Sequence, residues 1–248
     1  MTWYTIRAHA DVADVAITGP IAAGDGLRFV AQLPSRANAI RLAISSIGGD
    51  VTAALQVASA LKAHRARVEV TIGQIAASAA TLPVMAGDRV RIAADAVVML
   101  HNPEVVPDDK APRDARALRS AAAELDRVRD QMIACYSWRL RGNVASLLDA
   151  TTWWDAAEAV RHRLADEISS PEPITACFDP RALAALGVVP QRFRARLVAL
   201  ADSRRAPRNR INVAEIYERR NRPGPVAASG RLSLADIYRT YNQGGAKR

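Results

Sequence analysis

Strand-like and helix-like stretches alternate through the first 100 residues of the chain. Residues 51–64 carry apolar side chains at helical spacing and predict a helix, and a second helix of small residues is predicted from Ser78 to about Ala86. Short β-branched and apolar runs that end at Gly, Pro or Ser predict strands at residues 11–21, 40–46, 67–72, 88–93 and 96–100. This βαβ series predicts right-handed crossovers and a largely parallel sheet, which is an α/β fold.

A long amphipathic helix is predicted from about Arg113 to Arg141, after a loop rich in Pro and Asp. Residues such as Leu118, Leu125 and Met132 share its apolar face, and charged residues occupy the opposite face. The following residues, 143–168, predict two short helices and a closing strand.

The charge is distributed unevenly along the 248 residues. The whole chain has a net charge of +9, yet residues 1–180 carry −2 and residues 181–248 carry +11. This asymmetry predicts a near-neutral folded domain over residues 1–175 and a basic, largely flexible tail over residues 176–248, because such a tail has too few apolar residues to fold alone. We expect its arginines to bind nucleic acid or an acidic protein surface.

The tail contains a short internal repeat. Residues 211–221 match residues 232–242, and each copy holds an Ala-acid-Ile-Tyr sequence, at 214–217 and 235–238. The apolar positions in each copy follow an i, i+3, i+4 pattern, which predicts a short amphipathic helix that docks in a groove of a partner. The alternative is a solvated extension without a ligand.

Other features of the composition limit the class of protein. The two cysteines, Cys135 and Cys177, are far apart and have no metal-like spacing, which indicates a reduced, intracellular chain without a disulfide framework. The N-terminal residues lack the pattern of a signal peptide, and no apolar run approaches the roughly 18 residues of a membrane helix. No Walker-type phosphate loop is present. We therefore expect a cytoplasmic protein with no metal, nucleotide or membrane partner.

Three elements of the sequence are candidates for chemistry. Ser78 lies in a run of alanines where a strand meets a predicted helix, and His101 follows a buried strand, where site residues of parallel sheets collect. Gly48 and Gly49 follow another strand, and such a turn exposes backbone N–H groups that can hold an oxyanion. Each element alone is more often structural, as a helix cap, a strand-end side chain or a turn. The other three histidines lie in polar, Arg-rich contexts typical of a surface, at His9, His64 and His162.

Taken together, these segments resemble a known family. Residues 44–64, 73–90, 97–103 and 151–168 are similar to four consecutive blocks of the Clp protease proteolytic subunit family, in the form that bacteriophages use as a head maturation protease. The similarity spans about residues 12–170.

The resemblance implies a fold and a set of site residues. The implied fold is a ClpP/crotonase-like βα superhelix with a long handle helix, the role of residues 113–141. Ser78 is then the nucleophile and His101 the base, and Gly49 and Ala79 form the oxyanion hole.

The sequence departs from the family pattern at two places. The family usually has an acid at the position of Thr151, so the nearest carboxylate, Asp149, becomes the candidate that orients His101. The family block also often has Pro where Ile47 stands.

The resemblance implies a serine endopeptidase that cleaves scaffold or capsid proteins, acting as a homo-oligomeric ring in the host cytoplasm or inside an assembling procapsid. Two alternatives remain open from the sequence. One is a catalytically inactive assembly or scaffold protein on the same fold. The other is a crotonase-like acyl-CoA enzyme, which does not explain Ser78 and His101 together.

Overall fold

The computed structural model describes residues 2–105, 114–171, 174 and 186–202. Eight strands lie in these ranges: β1 (Tyr4–His9), β2 (Val12–Ile17), β3 (Ala39–Ser46), β4 (Arg67–Ala77), β5 (Arg89–Ala93), β6 (Val97–Leu100), β7 (Thr152–Trp154) and β8 (Glu167–Ser169). Six α-helices lie there too: α1 (Gly26–Gln32), α2 (Val51–Ala63), α3 (Ala115–Tyr136), α4 (Val144–Asp149), α5 (Ala156–Arg161) and α6 (Gln191–Asp202).

All eight strands form one sheet in the order β1-β2-β3-β4-β5-β8, with β6 and β7 branching from β4. The long β4 allows this branch, because residues 69–72 pair with β5 and residues 75–77 pair with β6. Pairing is parallel except for β1–β2 and β6–β7. The prediction of an α/β fold with a largely parallel sheet is therefore confirmed.

Strand β4 runs five residues further than its predicted end at residue 72. The sequence suggests a break at Gly73, since glycine weakens strands. In the structure Ile174 lies against Gly73 so closely that a Cβ there would be 2.6 Å from the Ile174 Cβ. The glycine thus provides a close approach between two segments, and the strand continues to Ala77, directly before Ser78.

Two hydrophobic clusters cover opposite faces of the sheet. Successive residues of a strand point to opposite faces, so Ala76 and Val98 join the large cluster with helices α1–α3, whereas Ile75 and Val97 join the smaller one. The smaller cluster also contains Met99, Trp153, Phe193 and Leu197. The strands that end at Ser78 and His101 are therefore packed on both sides.

Helix α6 lies beyond residue 175, where the folded domain was predicted to end. Residues 186–202 were expected to belong to a flexible tail, but α6 belongs to the same compact unit as the sheet. Phe193 and Leu197 are one helical turn apart and both are buried, and the Phe193 ring stacks on Trp153 with centroids 5.9 Å apart. Arg192 also donates to Glu158 and to the carbonyl of Trp153. The two repeats, at 211–221 and 232–242, lie outside the described residues.

Strands β1 and β7 and helix α1 were missed by the sequence pattern. Strand β1 is an edge strand with mixed burial, so it lacks a clear apolar signature. Helix α1 has only seven residues, and its burial rests on Gly26 and Phe29. Across the described helices, none is both long enough and apolar enough to span a bilayer.

Candidate active site

Ser78 stands at the turn that ends β4. Its φ of +54° lies in the left-handed region, which a residue with a Cβ adopts only under strain of about 1–3 kcal/mol. Residues after it form two 3₁₀ turns, Ser78–Thr81 and Pro83–Ala86, so the predicted helix through Ala86 is wrong. The sequence carried a signal against that helix, because Pro83 has no N–H to donate within it.

His101 meets Ser78 at the carboxyl end of the sheet. Strands β4 and β6 are parallel, and Ala77 lies opposite Met99, so the residues after both strands emerge at one edge. Ser78 Oγ and His101 Nε2 are 2.7 Å apart, within hydrogen-bonding distance. The His101 side chain is 12% exposed, which leaves it largely shielded from water but open on one side. This geometry suits transfer of the serine proton to the imidazole.

The Gly-Gly turn touches the Ser78 turn. Gly48 has a φ of +92°, and a Cβ there would lie 2.6 Å from the Ala77 carbonyl oxygen and 2.9 Å from the Ser78 Cβ. Only glycine allows this approach. The Gly48 N–H already donates to Ser46 Oγ at 3.1 Å, so it is engaged within the turn.

Gly49 and Ala79 belong to the two turns that meet at Ser78. The bridge between Gly49 and Ile21 uses the Gly48 carbonyl and the Asp50 N–H, which leaves the Gly49 N–H directed away from Ile21. Ala79 lies in the first turn after the strand, where N–H groups have no partner inside the helical turn.

The C-terminal end of α3 packs against the Ser78 turn. The Thr81 hydroxyl donates to the Ser78 carbonyl at 2.6 Å, so Tyr136 donates to Thr81 across the other 2.6 Å contact. Burial raises the pKa of the Tyr136 phenol far above its ordinary value. The Cys135 thiol contacts the Leu82 carbonyl, and burial raises its pKa to about 12, so it is an inert core group rather than a nucleophile.

Asp149 does not occupy the place expected for it. Its Oδ1 accepts from Asn102 Nδ2 at 2.9 Å and from Arg129 Nη2 at 2.8 Å, while the carboxylate on His101 Nδ1 is that of Glu104, at 3.2 Å. Asp149 lies at the end of α4, where the positive charge of Arg129 on α3 holds it. The hydrogen bond from Asn102, and then that from Arg129, lower the pKa of the Asp149 carboxyl.

Thr151 directly precedes β7. Thr152 pairs with Leu100, the last pair of the antiparallel β6–β7 ladder at this end. Thr151 has a φ of +47°, an uncommon value for a β-branched residue. The position where the resembling family usually has an acid therefore carries a hydroxyl residue in a strained conformation.

The other three histidines are partly buried rather than on the surface. The His64 ring lies between the Pro34 carbonyl and the Ala66 N–H, and the His162 ring stacks on Trp154 with centroids 4.6 Å apart. His9 lies 3.9 Å from Asp14. Each has a structural contact away from Ser78.

Within the described ranges no three His, Cys, Asp or Glu side chains are grouped to hold a metal ion.

Ile47, the second departure from the family pattern, is buried in the smaller cluster beside Ile75 and Ala77. It anchors the start of the Gly-Gly turn to the face that α6 covers.

Comparison with known families agrees with this architecture. The family model described as Clp protease matches residues 3–172, which is more than half of the chain. The match includes the Gly-Gly turn, Ser78 and His101. The chain belongs to the Clp protease family.

Proposed function

We propose that this protein is a serine endopeptidase in which Ser78 is the nucleophile and His101 is the general base. The observation that carries the proposal is the 2.7 Å contact between Ser78 Oγ and His101 Nε2, made by a serine held at a φ of +54°. A nucleophile on a strained turn presents its hydroxyl outward, where a substrate carbonyl can approach.

The residues support a two-step hydrolysis. Ser78 Oγ attacks the carbonyl carbon of the peptide while its proton passes to His101 Nε2. The carbonyl oxygen becomes an oxyanion, which the N–H groups of Gly49 and Ala79 stabilise. His101 then returns the proton to the leaving amine, and the C–N bond breaks to give an acyl-enzyme. A water molecule, deprotonated by His101, releases the acyl group and restores the Ser78 hydroxyl.

We infer a phage head maturation role, with scaffold or capsid proteins as substrates. The similarity of the four sequence blocks to that form of the family supports this setting, as does the charge of +11 over residues 181–248. A basic segment would hold the protease at nucleic acid or at an acidic shell protein. In this proposal residues 211–221 and 232–242 act as two copies of a docking motif.

A ring of identical subunits is the second part of the proposal. Helix α3 extends beyond the core, and Leu118 near its start is 52% exposed. Ala121, Leu125 and Val128 continue the same stripe at intermediate burial. A second copy that covers this stripe would bury apolar surface, so α3 is a candidate handle between subunits. A monomer in sedimentation at micromolar concentration would contradict this part.

Labelling with a fluorophosphonate tests the nucleophile. We expect Ser78→Ala to abolish both labelling and cleavage of a scaffold protein while the circular dichroism spectrum is retained, since the change only removes a hydroxyl. Ser59→Ala is the matched control, because Ser59 is exposed on α2. Labelling or cleavage that persists in Ser78→Ala refutes the assignment. A wild-type protein that is never labelled would favour the inactive scaffold or the acyl-CoA enzyme.

A further inference from the structure

The second ring nitrogen of His101 contacts a carboxylate that the sequence pattern did not single out. His101 Nδ1 lies 3.2 Å from Glu104 Oε1, while Nε2 faces Ser78 Oγ. An ionised carboxylate can only accept a hydrogen bond, so Nδ1 carries the proton and Nε2 presents its lone pair to the serine. A general base needs this tautomer.

We propose that Glu104 is the positioning residue for His101, in place of Asp149. The inference rests on the proposed function, because it assigns a role in the chemistry of Ser78. Glu104 touches neither Ser78 nor the position of a substrate carbonyl in this proposal. It acts by fixing the tautomer and the ring orientation of His101.

The other two candidate positions do not place a carboxylate on the ring. Asp149 is held by Asn102 and Arg129, with a contact of 2.8 Å to the Arg129 guanidinium. Thr151, at the usual position of the family acid, has a hydroxyl rather than a carboxylate. Glu104 is thus the carboxylate that contacts the imidazole within the described residues.

The segment between His101 and Glu104 is restrained in two ways. Pro103 fixes its own φ, which limits the path of the chain at that point. The Asn102 side chain is held at both ends, since Arg129 Nε donates to its Oδ1 at 2.8 Å and its Nδ2 donates to Asp149. The Asn102–Arg129–Asp149 contacts therefore anchor the segment from which Glu104 reaches back to the ring.

The exposure of Glu104 sets the size of the expected effect. Its side chain is 68% exposed, against 12% for His101. Water screens an exposed carboxylate, so its interaction with the ring is weaker than that of a buried one. We expect its loss to slow the reaction about fivefold, far less than the about 10⁴-fold seen when a buried triad carboxylate is neutralised.

The test uses Glu104→Ala in the full chain, with Glu124→Ala as the matched control. Glu124 is also an exposed glutamate, and its partner is Arg127 on α3. Two measurements are made: the second-order rate of fluorophosphonate labelling, and the ¹⁵N chemical shifts of the His101 imidazole, which report the tautomer. We expect Glu104→Ala to label about fivefold more slowly and to populate both tautomers, whereas Glu124→Ala matches the wild type.

The tautomer measurement separates this proposal from the proposed function. If the wild type is not labelled, the proposed function fails, and the ¹⁵N shifts alone decide the role of Glu104. A wild-type tautomer in Glu104→Ala overturns the proposal even if labelling slows, because a structural effect would then explain the rate. An unchanged labelling rate in an active protein overturns it as well.

Discussion

At the scale of one residue, the absence of a side chain at Gly48 allows the Gly-Gly turn to contact the Ser78 turn. Its backbone lies where any Cβ would be 2.6 Å from the Ala77 carbonyl oxygen and 2.8 Å from the Ala79 nitrogen. Since both neighbours are backbone atoms, neither can rotate away as a side chain would. The contact between the Gly-Gly turn and the Ser78 turn therefore depends on the missing side chain.

We predict that Gly48→Ala abolishes fluorophosphonate labelling and lowers the melting temperature. Gly142→Ala is the matched control, because Gly142 has a similar φ of +90° but a Cβ at that position would meet no neighbour within 4 Å. The control should lose only the cost of a left-handed alanine, about 1–2 kcal/mol. Equal melting temperatures and normal labelling in both variants would contradict the role given to Gly48.

Asp149 contacts Asn102 and Arg129 beside the site and does not contact His101. We predict that Asp149→Asn leaves the labelling rate within about twofold of the wild type, because a surface contact contributes little. The lowered pKa of Asp149 means that its ionised form is favoured in the folded state. Its stabilising contribution is then present above the ordinary carboxyl pKa of about 3.9 and is lost as the pH falls through the folded-state value.

The measurement is the melting temperature of wild type and Asp149→Asn as a function of pH. The wild type should melt higher at pH 7, and the difference should vanish in strong acid. A difference that grows on acidification has the wrong sign, and a large loss of labelling in Asp149→Asn would return Asp149 to the role of orienting His101.

At the scale of elements, helix α3 and the Ser78 turn are joined by one buried pair of hydroxyls. Tyr136 donates to Thr81, which in turn donates to the Ser78 carbonyl. Removing the Thr81 hydroxyl leaves the Tyr136 hydroxyl buried without a partner, whereas removing the Tyr136 hydroxyl leaves Thr81 still bonded to Ser78. The two deletions are therefore unequal.

We predict that Thr81→Val lowers the free energy of unfolding by about 1–3 kcal/mol and that Tyr136→Phe lowers it by less. The double variant should be more stable than Thr81→Val alone, because no orphaned hydroxyl remains, and this coupling is measured by a double-mutant cycle. Strictly additive losses in urea unfolding would show that the pair does not connect α3 to the turn.

At the scale of the whole molecule, helix α6 completes the support of the strands that end at Ser78 and His101. Phe193 and Leu197 cover the face of β4, β6 and β7 that points away from helices α1–α3. Two residues close to Ser78 and His101 in the chain, Ala77 and Met99, lie in this cluster. Loss of α6 packing should therefore loosen both ends of the Ser–His contact.

We predict that Phe193→Ala destabilises the protein by about 3 kcal/mol and slows labelling, because it leaves a cavity against Trp153. Val198→Ala on the same helix is the control, since Val198 is 58% exposed and its truncation should be nearly neutral. A fully stable Phe193→Ala variant would show that α6 does not support the sheet.

A chain that ends at Asp202 should retain both stability and labelling. If the two repeats dock the protease, this shortened chain should lose co-assembly with shell proteins.

The pattern of apolar and polar residues determined the parallel sheet and helix α2, and the resemblance of four sequence blocks to the Clp protease family singled out Ser78 and His101. Apolar residues recur with a period of two along strands and 3.6 along helices, and these patterns depend only on residues close in sequence. The strands at 40–46, 88–93 and 96–100 and the helix from Val51 are therefore found close to their predicted bounds. Site residues of a parallel sheet lie at the carboxyl ends of its strands, which made His101 a candidate, and the family resemblance paired it with Ser78.

Tertiary structure decided what depends on contacts between distant segments. The net charge of residues 181–248 predicted a flexible tail and gave no sign that α6 is folded. Helix α6 is stabilised by a distant segment, because Phe193 packs on the apolar face of Ile75, Val97 and Trp153. The carboxylate that orients His101 was expected to be Asp149, because it is the one nearest in sequence to Thr151. The charge of Arg129, placed beside Asp149 only by the packing of α3, leaves Glu104 as the carboxylate that contacts the imidazole.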